Sequence, residues 1–181
     1  VNKFNRAGTQ LWSDTIMDAD GDFWNYSNFE FSGLDLVTDS SNNVIVCGRF
    51  SVGNTPFSGD TLDFDPGPGT ALYSNGPITG SDNFLLKLDS NGHYLWDYQF
   101  GFDTWGENHL ATVGDEIYHS HGTTFPSTVH KFDAAGNFLW TKELPNAPGH
   151  GTHLGYTHEF IYDKPTGSFF FLQEEFHNVI K

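Results

Sequence analysis

Asp18-Ala-Asp20-Gly-Asp22 is the densest run of potential ligands in the chain. Carboxylates alternating through a glycine turn suit a hard cation such as Ca²⁺, which gathers six to eight oxygens. The pattern is partial: no bidentate Glu follows at helical spacing, and solvated turn carboxylates are the plain alternative. Asp63-Phe-Asp65-Pro-Gly carries the same two readings, cation ligands or aspartates that cap a rigid turn. Nine histidines add imidazoles. His150-Gly-Thr-His153, with His158 close in sequence, would serve a metal such as zinc, and His119-Ser-His121 places two rings on one face of a strand. Neither a Cys partner nor an HExxH pattern accompanies them, so surface and hydrogen-bonded core roles compete with metal ligation.

Catalytic signatures are absent from the sequence: there is no nucleophile elbow, P-loop or dinucleotide fingerprint. Carboxylate pairs abound, but in so acidic a chain abundance does not point to an acid/base couple. Eight basic residues stand against 23 acidic ones, a formal net charge of -15. A phosphate backbone or an anionic membrane surface needs clustered Lys and Arg, so neither is an expected partner. A cation or a basic protein surface is compatible with the charge. No run of about 18 apolar residues predicts a transmembrane helix, and no signal peptide is recognised. Cys47 is the single cysteine and reads as a small buried strand residue.

Aromatics make up 17% of the residues and Gly numbers 20, a mixture that favours short strands joined by tight turns. Three segments align without gaps: VNKFNRAGTQLW (1–12), LLKLDSNGHYLW (85–96) and VHKFDAAGNFLW (129–140), and Val179-Ile180-Lys181 begins a fourth. Their lysines at 3, 87, 131 and 181 lie 84, 44 and 50 residues apart. The shorter two spacings match a four-stranded propeller blade, and the longest is one blade with an insertion. Each segment predicts a hairpin whose turn ends at Gly8, Gly92 or Gly136, where a positive φ is needed. Trp12, Trp96 and Trp140 recur at one position and are read as packing between neighbouring blades.

A second hairpin precedes each later copy. GLDLVTDSSNNVIVCGRF (33–50) turns at 40–43, HLATVGDEIYHSHG (109–122) at 114–115, and THEFIYDKPTGSFFFL (157–172) at 164–167. Two hairpins make four antiparallel strands, one blade. The expected organisation is an all-β chain of about three blades: an outer hairpin at 1–16, a blade at 34–100 with an insertion at 51–82, a blade at 107–144, and an incomplete blade at 156–181. A closed propeller uses about four to eight, so the chain, which runs from Val1 to a lysine inside a repeat, is expected to be a piece of something longer or to meet a partner.

KLDSNGHYLW with its two sister copies, DSSNNVIVCGRF, and the insertion DFDPGPG (63–69) together resemble the SBBP-type bacterial β-propeller repeats of large secreted and cell-surface proteins. The resemblance spans most of the chain and is most specific in 34–100. It implies an extracellular scaffold or binding module and supplies no catalytic residues. The Asp-x-x-Gly-x-x-Leu-Trp hairpin also looks like the tryptophan-docking motif of quinoprotein propellers, which is structural.

In a propeller, the links between blades and the loops between second and third strands emerge on one face. Here these are 17–33, 51–82, 101–107, 123–128, 145–155 and 173–178, which hold most of the acidic loop residues. Asp35, His109 and His158 fall on the innermost strands and are candidates to line a channel. The leading expectation is a non-catalytic surface module whose acidic loops engage a cation, a basic protein patch or a glycan, with Trp24, Tyr26 and Trp105 available to stack on sugars. The rivals are a propeller-fold enzyme acting on polysaccharide, a quinone-dependent oxidoreductase, and a subunit of a surface filament or adhesive assembly.

Overall fold

The computed structural model describes residues 1–18, 30–51, 61–74, 81–102, 108–121, 128–143 and 155–175. Every regular element among them is a strand: β1 (Asn2–Phe4), β2 (Gln10–Ser13), β3 (Met17–Asp18), β4 (Glu30–Thr38), β5 (Val44–Ser51), β6 (Thr61–Asp63), β7 (Leu72–Ser74), β8 (Ser81–Leu88), β9 (Tyr94–Phe102), β10 (Asn108–Val113), β11 (Glu116–His121), β12 (Thr128–Phe132), β13 (Phe138–Glu143), β14 (Gly155–Asp163) and β15 (Ser168–Glu175). The chain is therefore all-β, and each strand pairing is antiparallel.

Two sheets have four strands in sequence order: a central one, β4-β5-β8-β9, and the one that follows it, β10-β11-β12-β13. They are flanked by an N-terminal hairpin, β1-β2, and a C-terminal hairpin, β14-β15. The described sheets do not close into a ring. Instead they stack face to face, because alternate residues of each strand point to opposite neighbours. Val44, Val46, Leu86 and Leu88 of the central sheet pack with Trp12 and Ile16 on the N-terminal side. Ile45, Cys47 and Leu85 pack on its other face with Leu110, Ile117 and Phe132 of the following sheet. Ala111, Tyr118 and Val129 then meet Tyr162, Phe169 and Phe171 of the C-terminal hairpin. Both faces of the middle strands β5 and β8 are covered, which explains the unbroken apolar runs Val44-Ile45-Val46-Cys47 and Phe84-Leu85-Leu86.

The repeat folds the same way three times. Lys3 pairs with Trp12, Lys87 with Trp96 and Lys131 with Trp140, and each ladder slips by one residue immediately after the lysine. The turns are alike to the atom. Asn5 Oδ1 accepts from the amides of Ala7 and Thr9, Asp89 Oδ1 from Asn91 and His93, and Asp133 Oδ1 from Ala135 and Asn137. Gly8, Gly92 and Gly136 complete them at φ values of 79°, 94° and 84°. A fourth turn of this form caps β4-β5: Asp39 Oδ1 accepts from Ser41 and Asn43, and Asn42 takes glycine's place at φ 62°. Asn tolerates the left-handed region better than most residues with a side chain.

The insertion departs from the expectation of a plain loop. Within 51–82, β6 and β7 form a separate three-stranded sheet with β3, in the order β3-β6-β7. Leu62 and Phe64 are fully buried there against Phe50 and Phe84, so the excursion extends the core rather than leaving it. The fourth strand β4 likewise begins at Glu30, earlier than residue 34.

Candidate functional site

The repeated residues meet at the junctions between sheets. Lys3 Nζ and Trp12 Nε1 of the N-terminal hairpin both donate to the Ser90 carbonyl of the central sheet, at 2.6 and 3.1 Å. One sheet on, Lys87 Nζ and Trp96 Nε1 both donate to the Ala134 carbonyl, at 2.9 and 3.1 Å. Each indole lies on the turn glycine of the next sheet: a Cβ on Gly92 would come to 3.2 Å from the Trp12 ring, and one on Gly136 to 2.7 Å from that of Trp96. Glycine thus serves twice, for its positive φ and for the space that a neighbouring ring occupies. Lys87 also forms a buried ion pair with Asp39 at 2.8 Å. Burial opposes the Asp39 charge, but the hydrogen bonds from Lys87 and Asn43 outweigh it and hold its pKa below the usual value.

A polar layer is buried between the central sheet and the following one. Asn108 Nδ2 donates to Asn83 Oδ1 at 3.0 Å, and Asn108 Oδ1 accepts from His119 Nε2 at 2.8 Å. Donation from Nε2 leaves His119 Nδ1 bare, and that atom has no hydrogen-bond partner. His121 and His130 stack nearby with ring centroids 4.8 Å apart, and Phe100 lies 4.5 Å from the His119 ring. Burial lowers the His119 pKa well below the ordinary histidine value, and the neighbouring His121, His130 and His109 push it the same way. Among the described residues, no three His, Cys, Asp or Glu side chains converge on a point where a metal would sit.

Sequence reasoning paired His119 with His121 but missed His130. It lies directly across the ladder from His119, and its position in the VHKF repeat drew notice only to the lysine. Cross-strand register, which a single chain pattern does not display, is the signal that joins them. Asp82 closes the 51–82 segment that sequence places among the acidic loops, and the structure puts it on β8. It is fully buried, with neither carboxylate oxygen bonded among the described residues, and burial raises its pKa.

Of the candidate cation ligands, Asp63 Oδ1 accepts from the amides of Asp65 and Ala71, and Asp65 Oδ1 from Gly67. Both therefore cap their own turn. Asp18 pairs with Leu62, one position from Asp63, so the two acidic segments share a sheet. The Asp18 side chain, Asp20 and Asp22 lie outside the described residues, as do His150, His153, Trp24, Tyr26 and Trp105. Asp35 links neighbouring first strands: Oδ2 accepts from the Leu110 amide at 2.7 Å, beside His109 on β10. His158 is on β14, which packs against β10; its side chain lies outside the described residues. Cys47 is buried and free, and burial pushes its thiol pKa up. Comparison with family models, curated proteins and solved structures finds no match for this chain.

Proposed function

We propose that the chain is a run of β-propeller blades acting as a non-catalytic scaffold or binding module at a cell surface, with its acidic loops as the binding face. The observation that carries this reading is the recurrence of one junction, a lysine and a tryptophan on a single carbonyl of the next sheet, at Ser90 and again at Ala134. Repeat proteins gain stability from such nearest-neighbour interfaces. The repeated Lys, Trp, Asp and Gly are engaged in architecture, which leaves ligand chemistry to the loops. The pairing of β3 with β6 supports a shared binding face, because it sets Asp18 across from Leu62, the neighbour of Asp63. A hard cation is the ligand class such oxygens suit.

Calorimetric titration with Ca²⁺, repeated on an Asp20→Asn, Asp22→Asn variant, tests the ligand. Heat of binding and a raised melting temperature, both lost in the variant, are expected. No heat and no thermal shift in the parent protein would remove the cation from this reading.

A further inference from the structure

The junction between the N-terminal hairpin and the central sheet departs from its sister junction in ways that converge on one cavity. In the β8-β9 turn, Asn91 and His93 stand where the next turn has Ala135 and Asn137. Two residues past the tryptophan, Asp14 stands where the central sheet has Tyr98. The inserted turn at 65–69 is a further departure. A cavity of about 380 Å³ opens between them, lined by Asp14, 65–69 and 91–94. It lies at the β8-β9 turn, the opposite end of the central sheet from Ser51, Ser81 and Phe102.

The turn itself does not require these residues. His93 Nδ1 reaches Asp89 Oδ2 at 3.0 Å, the contact that Asn137 Nδ2 makes with Asp133 Oδ2 at 2.9 Å, so asparagine would serve. Ala135 shows that the Asn91 side chain is dispensable to the turn. What the departures add is polar atoms at the cavity. Asp14 Oδ2 is buried with no hydrogen-bond partner, and burial raises the pKa of its carboxyl. Asp65 accepts at Oδ1 from the Gly67 amide at 2.8 Å and carries Oδ2 beside Gly69. Both carboxylates are cradled by glycine: a Cβ on Gly92 would collide with Asp14 Oδ2, and one on Gly69 with Asp65 Oδ2. Pro66 and Pro68 fix the backbone of the inserted wall, so the cavity is preorganised. Tyr94 adds an aromatic wall, its hydroxyl donating to Asp97 Oδ1 at 2.6 Å.

We propose that this cavity is a saccharide site, in which Asp14 and Asp65 accept from sugar hydroxyls, the Asn91 amide bonds a third, and Tyr94 meets the C–H face. The lining selects this class. Among its described residues there is no Lys or Arg, so an anion finds no counter-charge. Among the described residues no three His, Cys, Asp or Glu side chains converge to hold a metal ion. Hydroxyls both donate and accept, which suits carboxylates beside an amide. A ring with one apolar face suits an aromatic wall among polar groups. The volume falls within the roughly 300–1,000 Å³ of small-ligand clefts. The site goes beyond the acidic loop face and shares only Asp65 with the cation reading.

The test is saturation-transfer NMR and calorimetry of the full chain with neutral disaccharides of glucose, galactose, mannose and N-acetylglucosamine, run in EDTA. Binding of at least one of them is expected. No binding across the panel, or binding that needs added Ca²⁺, overturns the proposal. The variant Asn91→Ala, His93→Asn gives this turn the residues that its sister carries at 135 and 137, so it should melt with the parent. It should weaken the sugar roughly tenfold or more, the scale of one or two lost hydrogen bonds. Asp14→Asn, outside the turn, should weaken it in the same way. Undiminished binding in both variants overturns the site. Tighter binding of the tripeptide Gly-Arg-Gly than of any sugar marks a pocket for a cationic side chain and overturns the saccharide too. Asp20→Asn, Asp22→Asn should leave sugar binding unchanged. Failure of the calcium titration therefore leaves this site standing, and failure here leaves the loop face standing.

Discussion

The indole of Trp96 rests on Gly136 so closely that a methyl group there would enter the ring's own volume, 2.7 Å from its nearest atom. Gly8, at φ 79°, occupies the equivalent turn with nothing within 4 Å of the same position. The two glycines share a backbone conformation and differ in their neighbour.

Gly8→Ala should therefore cost only the conformational penalty, about 1 kcal/mol. Gly136→Ala should cost that plus about 1–3 kcal/mol for displacing the ring. Urea unfolding of the two variants measures the difference. Equal costs would mean that the ring does not depend on the glycine.

Lys87 is 2% exposed and satisfies two acceptors in different sheets, the Asp39 carboxylate and the Ala134 carbonyl. Lys87→Met keeps much of the volume but strands a buried carboxylate. A loss of about 3–5 kcal/mol is expected, because an uncompensated buried charge is the dominant cost. Substituting Asp39 as well should recover part of it. A loss below about 1 kcal/mol in Lys87→Met would show that the pair behaves as an exposed one.

His119 sets a pH dependence whose sign is fixed by its burial. Its folded pKa lies well below 6.5, so as pH falls through 6.5 the unfolded chain takes up a proton that the folded chain refuses. Stability should be full above that point and decline on acidification, by up to about 1.4 kcal/mol per pH unit for one such group. The carboxylates with lowered pKa act in a separate, lower window. Hydrogen bonds from His93 and Asn91 outweigh burial at Asp89 and hold its pKa down to about 2, so its contribution is lost only as pH falls below 3.8. Denaturation between pH 8 and 5 should show a shallower slope in His119→Gln than in the parent. Parallel slopes would remove His119 as the titrating group.

Much of this fold was legible in the sequence because the repeat states its own geometry. Asp89-x-x-Gly92 and its sister turns dictate hairpins, and the alternation of Val44, Ile45, Val46 and Cys47 announces two covered faces. The insertion was not legible. The pairing of Met17 with Asp63 closes a long loop and rests on two residue pairs, too few to leave a periodic signal. The partners of Lys87 were hidden for a different reason: a lysine inside LLKL reads as an edge charge until Asp39 and Ala134 are seen to surround it. At the candidate site, sequence spacing found His119 and His121, but only ladder register adds His130.

The most direct measurement is a double-mutant cycle between Trp96 and Gly136, read by urea unfolding of Trp96→Ala, Gly136→Ala and the double variant. If the indole packs on the turn of the next sheet, Gly136→Ala should cost markedly less once the ring is gone, with a coupling of about 1–3 kcal/mol. Costs that add to within about 0.3 kcal/mol would contradict the junction on which the reading of this chain as a run of propeller blades depends.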